Sequence, residues 1–215
     1  GATIVATGRN MQKLEATLAE LEGESNVIIS ADLTKPEDIE KISSVVPQLD
    51  GIVHCAGVGY RLPAKMITER DIEAVMNTNF SGTVLLQSGL LKKKKVNKDA
   101  SVVFVASKAA DFPSPGNALY SASKGALISY ARCLSIELAS RGIRVNCICP
   151  AMVWTDLIMQ NEVTEEQLKE SEKAYPLKRY GKPEDIAYLS IYLLSDASSW
   201  MTNSCIDITG GANKL

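Results

Sequence analysis

The sequence contains a single histidine, His54, among its 215 residues. One histidine excludes a multi-histidine metal centre and makes a serine-histidine-aspartate hydrolase a poor reading. No apolar run reaches the ~18 residues that a membrane-spanning helix requires, so no membrane partner is expected. An excess of positive charge is missing too: 23 basic against 25 acidic residues leave a net charge of −2, which gives no electrostatic case for gripping nucleic acid. The five cysteines (55, 133, 147, 149 and 205) are odd in number and lack metal-ligand spacing. That pattern predicts free thiols, a reducing compartment such as the cytoplasm, and no metal. Repeats, low-complexity tracts and Pro/Gly-rich linkers are also absent, so a single domain over residues 1–215 is expected.

What is present is an alternation of two periodicities. Runs rich in Val and Ile occur at Thr3–Thr7, Asn26–Ser30, Gly51–His54, Ser101–Ala106, Ile143–Ile148 and Cys205–Ile208. Several are apolar at consecutive positions, as strands buried on both faces of a parallel sheet are. Between them lie helix-like stretches: Asn10–Leu21, a segment from Pro36, Glu69 to about Lys94, Leu119 to about Ser140, and Pro183–Leu194. The order predicts an α/β fold, a doubly wound parallel sheet with helices on both faces. The Lys92–Lys95 run reads as a solvated helix end favoured by the helix dipole.

Chemistry gathers on Ser107, Tyr120 and Lys124. Tyr120 and Lys124 stand four apart in a helical stretch and so share a face. Ser107 ends an apolar strand, where parallel α/β sheets place their functional crevice. A phenol beside an ammonium is a proton donor whose pKa the cation is expected to lower, and a serine hydroxyl aimed at the same oxygen stabilises developing negative charge. Carbonyl reduction and its reverse suit that set. Tyr-x-x-x-Lys alone arises by chance ~0.5 times in such a chain, and with a serine thirteen positions upstream ~0.05 times.

With these spacings the sequence resembles the short-chain dehydrogenase/reductase family, and the resemblance continues along the chain. His54-Cys55-Ala56-Gly57 is similar to the family's Asn-Asn-Ala-Gly turn, and Asn79 in Asn79-Phe80-Ser81-Gly82 to its helix asparagine. Pro150-Ala151-Met152-Val153-Trp154-Thr155 resembles the segment lining the nicotinamide, and Tyr175–Ile186 the pre-helix segment of 3-oxoacyl-carrier-protein reductases. The resemblance implies a Rossmann-like fold in which Tyr120 is the general acid/base, Lys124 tunes it and holds the nicotinamide ribose, and Ser107 polarises the carbonyl. It implies that Asn79 completes a proton relay through a water. Ala56, Gly57, Val153 and Thr155 are implied cofactor contacts, as are Asp32 and its neighbour Leu33 on the adenine side. Gly8-Arg9 stands where many relatives that prefer NAD carry an acid; losing that repulsion and gaining a guanidinium favours NADP(H) over NAD(H), with Arg9 on the 2′-phosphate.

The family's first strand and its glycine-rich turn have no counterpart in this sequence, so the first βα unit is expected to be missing and the neighbouring strands to have open edges. The implied function is reduction of a small-molecule or acyl-carrier-linked carbonyl, as in fatty acid biosynthesis. Lys98 and Arg141 are expected to dock the acidic carrier, and a homodimer or homotetramer to form through the long helices. A sugar, steroid or other alcohol dehydrogenase, and a non-catalytic dinucleotide sensor, are the alternatives.

Overall fold

The computed structural model describes residues 1–59, 61–112, 114–159 and 164–212. Strand β1 (Val5–Gly8) leads through α1 (Met11–Glu20) to β2 (Val27–Ser30), and α2 (Pro36–Val45) leads to β3 (Leu49–His54). Helices α3 (Glu69–Met76) and α4 (Gly82–Lys92) precede β4 (Val96–Val105), and α5 (Ala118–Leu138) connects β4 to β5 (Arg144–Pro150). Short helices α6 (Asp156–Met159) and α7 (Glu165–Glu172), then α8 (Pro183–Leu194), lead to β6 (Cys205–Ile208).

Local chemistry accounts for the boundaries. Asn10 caps α1 by accepting from the Lys13 amide, Thr68 and Asp71 form a reciprocal capping box on α3, and Pro36 and Pro183 open α2 and α8. The lysine run does end α4, yet it is not simply solvated. Lys93 pairs with Glu40 at 2.7 Å, and the Lys95 ammonium donates to the Val46 carbonyl at 2.7 Å, so two of the four lysines tie α4 to α2.

All strand pairings are parallel, as expected, but the strands form two sections: β1-β2, and β3-β4-β5-β6. β1 and β3 are each hydrogen-bonded along one side only, so among the described residues no strand joins the sections. The open edges expected from the sequence are there. Each leaves a row of backbone donors and acceptors without a ladder partner.

Strand alternation sorts the core into two faces. Val102, Phe104, Val145, Cys147 and Cys149 pack with Leu127, Ala131 and Leu134 of α5 and Leu86 and Leu90 of α4. Val103 and Ile148 face the other way, onto Leu193 of α8. Ser101 fastens that layer, its hydroxyl donating to the Leu193 carbonyl at 2.7 Å.

His54 is a core residue. Its ring stacks on Phe104, with centroids 4.8 Å apart, and its Nε2 lies 2.8 Å from Gln87 Oε1. Burial pushes its pKa down to about 4. A histidine depressed in the folded state leaves the unfolded chain to protonate first, so stability present above pH 6.5 is lost as the pH falls toward 4. The expected loss is about 3 kcal/mol. Urea unfolding at pH 7.5 and pH 4.5 checks it: His54→Leu should lose that much less between the two pH values than the wild type.

Candidate active site

Parallel strands bring their carboxyl ends to one edge, and the predicted residues collect there. Ser107 follows β4, Ala56 and Gly57 follow β3, and Val153 and Thr155 follow β5. Tyr120 and Lys124 occupy the first two turns of α5. Lys124 is 3% exposed, and its ammonium lies 5.9 Å from the Tyr120 ring centroid while donating to the Val105 carbonyl at 2.9 Å. The structure therefore brings phenol, ammonium and serine hydroxyl together at the sheet's edge.

The electrostatics differ from the expectation. Burial raises the Tyr120 pKa, and the Ser107 hydroxyl pulls it back only in part. Burial also pushes the Lys124 pKa down, to about 8. In this enclosed setting desolvation outweighs the hydrogen bond from Ser107, so the phenol stays protonated at neutral pH. Such a phenol is poised to give up a proton rather than to take one.

Asn79 is fully buried, on a π-helical turn (Asn77–Ser81) between α3 and α4. Its Oδ1 accepts from the Val58 amide at 2.7 Å, and its Nδ2 donates to the Val58 carbonyl at 2.8 Å and to Ser123 Oγ at 3.0 Å. The side chain thus clamps the loop after β3 instead of pointing at Tyr120.

That loop is built for close approach. A Cβ on Gly59 would stand 2.6 Å from Tyr120 Cδ2, and one on Gly57 would stand 3.4 Å from Lys124 Nζ and 3.5 Å from Asn79 Oδ1. Val58, Gly59 and Ser123 were not singled out by the sequence. The resemblance of His54-Cys55-Ala56-Gly57 to the family turn pointed to the loop, and the Gly57-x-Gly59 spacing is a signal that could have extended it to Gly59.

On the adenine side, Asp32 accepts from the Thr34 amide at 2.9 Å and hydroxyl at 2.8 Å, which holds its pKa below the usual carboxylate range. Arg9, exposed at the end of β1, also lowers it; β1 and β2 pair in parallel with Gly8 opposite Ser30, which brings the two strand ends side by side. Leu33 lies against α4 where Gly82 makes room: a Cβ there would meet the Leu33 carbonyl oxygen at 2.4 Å. Val153 bridges to Gly181, and Thr155 is exposed, its hydroxyl donating to the Val153 carbonyl at 3.3 Å.

The residues present fit a dinucleotide in two respects. The Lys124 ammonium has one hydrogen-bond acceptor among the described residues, so two of its donors are left for ribose hydroxyls beside the side-chain-free cradle of Gly57. Arg9 and Asp32 follow the carboxyl ends of the paired strands β1 and β2, a carboxylate and a guanidinium that suit the polar groups of an adenosine.

Two expected contacts are corrected. Lys98 lies near the start of β4 and Arg141 just before β5, at the amino-terminal edge of the sheet. That is a strand's length from Ser107, on the order of 20 Å. Arg141 is moreover committed to the Val96 carbonyl at 2.6 Å. Neither cation fronts the cleft, because in a parallel sheet residues preceding strands gather at the edge opposite to the site.

A family model described as enoyl-(acyl carrier protein) reductase matches residues 1–213. The 3-oxoacyl-[acyl-carrier-protein] reductase FabG of Rickettsia felis is 30% identical over 211 residues, which cover 98% of this chain and 86% of that protein. Dehydrogenase/reductase SDR family member 4 of Homo sapiens is 31% identical over 221 residues, covering 98% and 78%. The crystal structure of a short-chain dehydrogenase/reductase, glucose/ribitol dehydrogenase, from Brucella melitensis matches with a TM-score of 0.91 at 32% identity, covering 98% of this chain and 86% of that one.

Proposed function

The chain belongs to the short-chain dehydrogenase/reductase family, and on that premise we propose that it transfers hydride between NADP(H) and a carbonyl or secondary alcohol, a 3-oxoacyl group on an acyl carrier being the favoured substrate. As a member it is a dehydrogenase/reductase that works with a nicotinamide dinucleotide. The observation carrying the proposal is the buried Lys124 ammonium beside a protonated Tyr120 and the Ser107 hydroxyl, at the edge where a substrate can enter.

The dinucleotide, when bound, supplies or accepts the hydride. Ser107 donates a hydrogen bond to the substrate oxygen, and Tyr120 gives that oxygen its proton as negative charge develops. The Lys124 cation stabilises the phenolate left behind and holds the ribose. Oxidation runs through the same groups with the phenolate as base.

The preference for NADP(H) rests on Arg9, exposed beside Asp32 with no acid at the neighbouring Gly8. Arg9→Asp is expected to lower the NADPH-to-NADH ratio of kcat/KM at least tenfold, since it removes a charge-assisted phosphate bond and adds repulsion. Michaelis constants for both cofactors check this, and an unchanged ratio would remove Arg9 from the site.

A panel of 3-oxoacyl thioesters, sugars, steroid ketones and simple ketones, followed by loss of NADPH absorbance, tests the substrate. The thioesters should show the highest kcat/KM; a sugar or steroid in their place selects another dehydrogenase of the family. NADPH binding without turnover on any of them selects the sensor. A homodimer or homotetramer through α4 and α5 is part of the proposal. Its support is the apolar surface left on that pair, with Leu85 53% and Ile136 68% exposed. Among the described residues no helix is long and apolar enough to cross a membrane, and all five cysteines are free, which supports placing the protein in the cytoplasm.

A further inference from the structure

Lys108 follows Ser107 directly, yet its side chain turns away from the cleft. From the end of β4 it reaches past β5 to β6, where its ammonium meets Asp207 Oδ2 at 2.6 Å. The same ammonium lies 3.3 Å from Asp111 Oδ2 and 4.5 Å from the centroid of the Phe112 ring. The Lys108 side chain is only 12% exposed, whereas those of Asp207 and Asp111 are 47% and 60% exposed, so the pair is enclosed on the lysine's side alone.

The turn thus held is the one that presents the Ser107 hydroxyl. Ser107 Oγ accepts from the Ala109 amide at 3.1 Å, and the Lys108 carbonyl accepts from the Asp111 and Phe112 amides at 3.0 and 2.9 Å. Ser107 and Ala109 are 8% and 3% exposed. Asp207 sits in a rigid place, in register with Cys149 of β5. The ion pair therefore joins the serine turn to a strand two positions across the sheet, a link that no backbone hydrogen bond provides among the described residues.

We propose that Lys108, through Asp207, is a positioning residue that fixes the Ser107 hydroxyl for catalysis. The proposal rests on the reductase reading above. The hydrogen bond to Asp207, helped by Asp111, raises the Lys108 pKa against the opposing effect of burial and keeps the ammonium charged. The pair should therefore persist across the pH range in which the protein works.

The test pairs a kinetic cycle with amide exchange. Lys108→Met is expected to lower kcat for carbonyl reduction about tenfold with KM for the cofactor unchanged, as displacement of one catalytic group does. In a Ser107→Ala background the same substitution should leave kcat unchanged, since the group it positions is gone. Exchange of the Ala109 amide should speed up about tenfold while that of the Cys147 amide, bonded within the sheet, stays put. Asp207→Asn, which preserves size, should reproduce all three results and replaces Lys108→Met if that variant does not fold.

An equal fall in kcat in both backgrounds, or an unchanged Ala109 exchange rate, overturns the proposal. A wild type inert toward every carbonyl refutes the reductase reading instead, and amide exchange then decides alone whether Lys108 orders the serine turn.

Discussion

Tyr120→Phe is expected to lower kcat for carbonyl reduction by about 10³, while NADPH binding changes less than twofold. The substitution removes one hydroxyl and keeps the ring against which Gly59 packs, at 2.6 Å from a Cβ built there. The fold has no reason to move. What is lost is the proton that the substrate oxygen receives, and a positioned acid or base accounts for ~10²–10⁴ in rate. Because burial raises the Tyr120 pKa, the wild type holds that proton at neutral pH, and reduction should be fast there without base activation. Single-turnover kinetics with NADPH and a 3-oxoacyl thioester measure the effect. A variant within a factor of three of the wild type would take Tyr120 out of the mechanism.

Lys124→Met should separate stability from activity. The ammonium is buried, and burial pushes its pKa down to about 8. A lysine depressed on folding means that the unfolded chain holds the proton to higher pH, so wild-type stability rises between pH 8 and the unfolded value near 10.5. Below pH 8 the folded protein carries a buried charge at a cost of about 3 kcal/mol. Methionine has a similar length and no charge. It leaves the Val105 carbonyl without its lysine donor, which offsets part of the gain. The cofactor-free variant is therefore expected to be about 1–3 kcal/mol more stable than the wild type at pH 7. Its kcat/KM for reduction should nonetheless fall by about 10² or more, since the phenolate loses its cation and the ribose its donor. In the wild type, kcat should decline as the pH rises through about 8, where the ammonium discharges. Urea unfolding at pH 7 and a pH-rate profile check the two halves. A variant both less stable and fully active would refute the assignment of Lys124.

A buried lysine at the proposed site and a buried histidine in the core show how little residue type alone decides. His54, the sole histidine, has its ring on Phe104 and one nitrogen on Gln87, and takes no part at the site. Lys124, one of many lysines, is buried beside Tyr120 at the carboxyl edge of the sheet, and it is the cation on which the proposed chemistry turns. The sequence separated them through context: Lys124 stands four residues after a tyrosine and seventeen after a serine, whereas His54 has no partner at a meaningful spacing.

Much of the fold was legible for a similar reason. Continuous Val/Ile runs and helical stripes are local periodicities, and local chemistry such as Asn10 and Thr68 at helix starts marks their limits. The break at Asn77–Ser81 was not legible. The sequence predicts one helix from Glu69 to about Lys94, and only the packing of Asn79 against Val58 and Ser123 gives the π turn a purpose. The Lys98 and Arg141 expectation failed because charge is visible in a sequence and the edge of the sheet on which it lands is not.

By itself the sequence determined the parallel α/β alternation and singled out side chains whose types and spacing suit carbonyl reduction, because both follow from side-chain type and from repeats a few positions long. The tertiary structure alone decided the protonation states, the clamp of Asn79 on the loop after β3, and the reach of Lys108 to Asp207. Each depends on how much water is excluded and on which distant segment becomes a neighbour. Such quantities arise only when residues a hundred positions apart pack together, since desolvation and through-space charge scale with enclosure and distance rather than with order along the chain.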